Sequence, residues 1–153
     1  MSHYDTDVYA WSERQGALLR RLAAGERVND ADMDWANIAE EIETVGRSER
    51  SALSIHIGNV LEHLIKLRIS PATAPRAGWK ETILRRRGEA EESLRDSPSL
   101  RPSVADFIGR RLPAAQRLAV AALNTHAERA STDPNLLTFD EAQVPGKWFP
   151  DEP

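Results

Sequence analysis

The sequence predicts an all-α protein, a single-domain helical bundle of four main helices with a short helical or irregular segment at the C-terminal end. Apolar residues recur at spacings of three and four over most of the chain, and no tract alternates apolar with polar residues as a half-buried strand would. The third observation is length: 153 residues fit one domain at roughly 100 to 200 residues each. A chain of this size buries about 68 to 70% of its unfolded surface, so it needs no staple. With no cysteine it has no disulfide, no thiolate nucleophile and no Cys-bound zinc or iron–sulfur cluster.

The first helix opens at Asp5, read as its cap, and carries Val8, Trp11, Leu18 and Leu22 at helical spacing as far as Gly25. The second starts at Asp32 or Asp34 and runs through Trp35, Ile38, Ile42, Val45, Leu53, Ile57, Val60, Leu64 and Leu67 to Ser70-Pro71. Unbroken, it would hold about 35 residues and span on the order of 50 Å; Gly46 offers a kink or an elbow instead. After the loop from Ser70 to Pro75, a third helix begins near Gly78 with a thin stripe of Trp79, Ile83, Ala90 and Leu94. Ser97-Pro98 then opens a brief helical turn. The fourth helix begins near Ser103 and presents Val104, Phe107, Ile108, Leu112, Ala115, Leu118, Ala119 and Ala122, with a bend or break expected at Pro113. The core is expected over about residues 5–130, and 131–153 form an irregular tail. Ser131 to Asn135 reads as loop, and Thr138-x-x-Glu141 has the form of a capping box for one last short helix. Trp148 and Phe149 are expected to fold back on the bundle, since each buries roughly 150 to 250 Å².

Charge removes several function classes. Twenty basic residues against 24 acidic ones give a net charge of −4 and a mean hydropathy of −0.51, so the summed field repels polyanions and nucleic-acid binding is disfavoured. The longest apolar run, Leu118 to Leu123, is six residues against the roughly 20 that cross a bilayer. The N-terminus shows no secretory pattern, and a cytoplasmic location is the resulting expectation.

Several ordered motifs then carry a likeness. Tyr4-Asp5-Thr6-Asp7-Val8-Tyr9-Ala10-Trp11, Asp34-Trp35-Ala36-Asn37-Ile38-Ala39-Glu40-Glu41-Ile42-Glu43 with Gly46-Arg47-Ser48-Glu49, His63-Leu64-Ile65-Lys66, Trp79 and Asp96-Ser97-Pro98-Ser99-Leu100-Arg101-Pro102 together resemble the bacterial domain of unknown function family 29 (DUF 29). The resemblance runs from Tyr4 to about Phe149. It implies a small all-helical bacterial protein and supplies no catalytic residues to transfer.

Three constellations are candidates for chemistry. Glu49, His56 and His63 are spaced by seven along one side of the second helix, and Glu49 occupies the step between Val45 and Leu53 in the apolar stripe. Such a carboxylate needs a cation, a network or a metal. It is either part of a ligand or divalent-metal pocket or the partner of an arginine from the fourth helix. Seven residues separate side chains by about 10 Å along the axis, so the two histidines do not readily share one ion. The Glu-x-x-His signature of di-iron bundles is absent, since Leu53, Val60 and Leu123 stand three before His56, His63 and His126.

The second constellation is acidic: Asp34, Glu40, Glu41 and Glu43, with Asp32. Carboxylates there suit a divalent cation, but Asp34 also suits a helix start and Glu43 an i,i+4 pair with Arg47. The third is basic: Arg85, Arg86 and Arg87 form either a phosphate or acidic-partner patch or half of a surface network with neighbouring glutamates. No nucleophile elbow, phosphate loop or dinucleotide fingerprint is present.

The sequence therefore favours a non-enzymatic interaction or regulatory bundle, with a protein partner or self-association and no cofactor. The alternative is a small-ligand or divalent-metal site at Glu49, His56 and His63, with hydrolysis as its chemistry.

Overall fold

The computed structural model describes residues 3–151. It contains α1 (His3–Thr6), α2 (Val8–Ala23), α3 (Trp35–Ile69), α4 (Arg76–Asp96) and α5 (Val104–Thr125), joined by short 3-10 turns, and no strand occurs among the described residues. The all-α expectation with four long helices holds.

Local chemistry explains the boundaries. The cap of α2 is Asp7, not Asp5: its carboxylate accepts from the Ala10 N–H at 3.0 Å, while Asp5 sits inside the short α1. The helix ends as Gly25 turns left-handed at φ 79°, a conformation that costs glycine nothing. Asp34 is the start that α3 uses. Its carbonyl takes the Ile38 N–H at 2.9 Å and its carboxylate the Asn37 side-chain N–H at 2.8 Å. From there α3 runs 35 residues without interruption, through Gly46. Helix α4 begins at Arg76, ahead of the expected Gly78.

Helix α5 also continues through Pro113, where a bend or break was expected; the carbonyl that loses its donor belongs to Gly109, an exposed position, so the loss leaves no buried polar group unpaired. Past α5 the expected helix after Thr138 is absent. The Asp140 carboxylate instead closes a turn on the N–H groups of Ala142 and Gln143, both at 2.9 Å. A 3-10 turn at Pro134–Leu136 lies next to it, in and just beyond the stretch read as loop.

Contacts divide the chain into two units, residues 1–47 and 48–153, with the boundary inside α3. The first has a small core of Trp11, Met33 and Ile38, against which Tyr4, Leu18 and Val28 pack. Buried Gln15 ties its loop down: the side chain donates to the Asp32 carbonyl at 3.1 Å and accepts from the Asp34 N–H at 3.0 Å. The second unit holds a larger core. Leu53, Ile57, Leu61, Leu64 and Ile65 of α3 meet Ile83 and Leu94 of α4, Phe107, Ile108 and Ala119 of α5, and Val144 of the tail. Each such large aliphatic side chain stabilises the fold by about 1.5 to 3 kcal/mol relative to exposure. Trp148 and Phe149 pack against this core as expected.

Candidate functional site

Helical phase decides which candidates meet. On α3, His56, Glu62, His63 and Lys66 fall on or beside one strip; on α4, Arg86 and Glu89 lie one turn apart. The two helices bring His56 Nδ1 to 3.0 Å from the Glu89 carboxylate, close in distance but without hydrogen-bond direction. The same Glu89 oxygen accepts from Arg86 at 2.8 Å, so one carboxylate serves both cations when His56 is protonated. About two to three turns further along α3, Lys66 Nζ donates to Glu62 at 2.6 Å with both side chains largely covered.

His63 falls within the span of the second pair, directly after Glu62. Its Nδ1 is 2.8 Å from the Asn59 carbonyl, which only accepts, so the neutral ring carries its proton on Nδ1 and keeps the Nε2 lone pair. Burial holds its pKa below the usual histidine value, against the pull of that carbonyl and aided by the charge of Lys66. The strip thus contains a basic imidazole nitrogen among balanced charges. The hydroxyl oxygen of Ser54, two residues before His56, accepts from the Arg111 guanidinium at 2.8 Å.

Glu49 does not join the histidines. It is exposed, and among the described residues no cationic nitrogen pairs with it. Its neighbour Arg50 takes the place foreseen for it, reaching Asp106 on α5 at 3.7 Å and Ser103 at 3.0 Å while stacking 4.7 Å over the Phe107 ring. Among the described residues, no group of three or more His, Asp or Glu side chains is arranged to hold a metal ion.

The acidic candidates are mostly engaged. Asp34 caps α3 and accepts the Trp11 indole N–H at 3.0 Å; Glu40 and Glu43 share Arg47 at 2.7 and 3.3 Å, the expected i,i+4 pair included. Glu41 accepts the Tyr4 hydroxyl at 2.5 Å, a bond that holds the phenol pKa up.

The three arginines do not share a surface. Arg85 is exposed, Arg86 is half-buried against Glu89, and Arg87 is 6% exposed. Arg87 holds the tail, donating to the carbonyls of Val144 at 2.9 Å and of Gln143 and Trp148 at 2.6 Å each. Burial pulls its pKa down to about 10, which leaves it a cation at neutral pH. Glu62, Lys66, Glu89 and Gln15 were not singled out as candidates from the sequence. The Glu62–Lys66 spacing of four was the available signal for the first two, and the Arg86–Glu89 spacing of three, part of the network read for the arginine run, was the signal for Glu89; nothing local marks Gln15.

No helix among the described residues is long and apolar enough to cross a membrane. The family model described as "Domain of unknown function DUF29" matches residues 3–145, nearly the whole chain. Neither a curated protein nor a solved structure matches.

Proposed function

The chain belongs to the DUF29 family, and from that premise we propose that it is a protein-interaction module whose first unit receives a basic, amphipathic helical segment of a partner. One observation carries the reading. Trp35, Ile38, Ile42 and Val45 share one face of α3; Ile38 is buried in the first unit's core, yet Ile42 and Val45 are 68% and 65% exposed and Trp35 is 46% exposed. An apolar stripe of that kind on a helix is the element that a partner helix packs against.

Charge favours the nature of the partner. Residues 1–47 contain ten carboxylates against five arginines, so two copies face to face would bring like charges together, whereas a basic segment is attracted. The small core of this unit, with three buried apolar residues, also gains most from an added apolar cover.

The test is fluorescence anisotropy with two labelled helical peptides of identical leucine spacing, one lysine-rich and one glutamate-rich. Saturable binding of the lysine peptide, weakened by salt and lost in Ile42→Ser/Val45→Ser, is expected. Both positions are exposed, so the variant keeps its fold. Equal binding of the two peptides, or unchanged binding by the variant, overturns the proposal. So does a dimer in light scattering that the same variant dissociates, which would make a second copy the occupant.

A further inference from the structure

The second unit contains a cavity of about 510 Å³ where the ends of α3 and α5 meet the start of α4, within the roughly 300 to 1,000 Å³ of sites that take small organic molecules. Pro75, Trp79 and Leu123 supply apolar wall, and the polar lining is Lys66, His126 and Glu128. Their charges are not equally answered. Lys66 is 9% exposed and already donates to Glu62 at 2.6 Å. Glu128 accepts the Ser70 hydroxyl at 2.8 Å, but among the described residues no Lys, Arg or His nitrogen lies within 4.0 Å of its carboxylate. A half-buried carboxylate without a counter-ion, lining the same cavity as an indole and a leucine, is a setting that rewards a cation carrying an apolar body.

The backbone holds Glu128 there at a cost. Helix α5 ends in a Schellman turn: the Glu128 N–H bonds the Leu123 carbonyl at 3.0 Å and the Ala127 N–H the Asn124 carbonyl at 3.1 Å. The turn needs a left-handed residue, and Ala127 supplies it at φ 55°, a conformation disfavoured for alanine by roughly 1 to 2 kcal/mol. Local strain of this sort persists where surrounding contacts over-determine it, and it clusters at binding sites.

We propose that this cavity binds a small organic monoamine, with the Glu128 carboxylate taking the ammonium and the Trp79 and Leu123 side chains taking an apolar or aromatic body. Lys66 gives a second positive charge no partner, which selects against polyamines.

The experiment is calorimetric titration of the full chain with phenethylammonium, the neutral 2-phenylethanol and the anionic 3-phenylpropionate. One-site binding of the amine is expected, with the alcohol and the acid weaker by about tenfold or more, the range of a charge-assisted hydrogen bond. Glu128→Gln should erase the preference for amine over alcohol. Glutamine still accepts the Ser70 hydroxyl, so the fold is retained. Should that variant not fold, the wild-type Trp79 indole resonance provides the second readout and should shift on addition of amine. Overturning results are an amine that binds no better than the alcohol, a preference for the acid, unchanged amine affinity in Glu128→Gln, or a Trp79 resonance that does not move.

Discussion

The guanidinium carbon of Arg87 stands 4.9 Å from the centre of the Phe149 ring. The same side chain binds three carbonyls of residues 143–148. A helix and a tail more than fifty residues apart are thereby joined through one cation. Pro145 limits any helix opened at Thr138 to little more than one turn, and the Asp140 carboxylate closes a tighter turn in its place.

Removing this cation leaves several covered carbonyls without donors. Arg87→Ala is expected to cost about 2 to 4 kcal/mol in chemical denaturation and to speed tryptic cleavage after Lys147. Arg87→Lys keeps the charge but not the planar fork, so it should fall between the two. Wild-type cleavage rates in Arg87→Ala would show that the tail is held by its apolar residues alone.

The backbone makes its own demand on the same tail. A Cβ on Gly146 would collide with the Ala142 carbonyl oxygen, a backbone atom that cannot swing aside. Gly146→Ala should therefore destabilise by about 1 to 3 kcal/mol, and its effect should be less than additive with Arg87→Ala because both act on one docked segment. A double mutant whose losses simply add would separate the two.

These features show where the sequence is readable and where it is not. The stripe from Leu53 to Leu67 is legible because periodicity reports which residues share a helix face. It does not report whether anything covers that face, so Ile42 and Val45 continue the same period and lie exposed. Glu49, placed in the stripe beside Val45, is exposed for the same reason. Arg87 is the opposite case. A run of three arginines reads as surface, yet Ile83, Arg87, Ala90 and Leu94 recur at spacings of four, three and four, and all four are buried. The phase of α4 contained that signal. The pairing of His56 with Glu89 did not exist in either helix alone, because it depends on how the two pack.

Ala127 offers a stability gain. Its left-handed conformation at φ 55° is free of steric cost for glycine, while glycine loses more entropy on folding. Ala127→Gly should stabilise by about 0.5 to 1 kcal/mol net, read as a raised denaturation midpoint at unchanged slope. A lowered midpoint would mean that the alanine methyl group contributes packing that outweighs the strain.

His63 predicts a pH dependence with a definite sign. Its folded pKa is lowered, first by burial, so on acidification the unfolded chain takes up the proton before the folded chain does. The unfolded state then binds more protons, and stability rises with pH. The contribution is fully present above the unfolded value near 6.5 and is lost as the pH falls through the folded value. The ring is surrounded by Lys66, Arg86 and Glu62, and two of these three are cations that oppose a charged imidazole. The wild-type denaturation midpoint minus that of His63→Gln, compared between about pH 7.5 and about pH 5, should fall as the pH falls, because only the wild type has this proton to take up. Curves that stay parallel over the whole interval would show that His63 does not resist protonation in the folded chain.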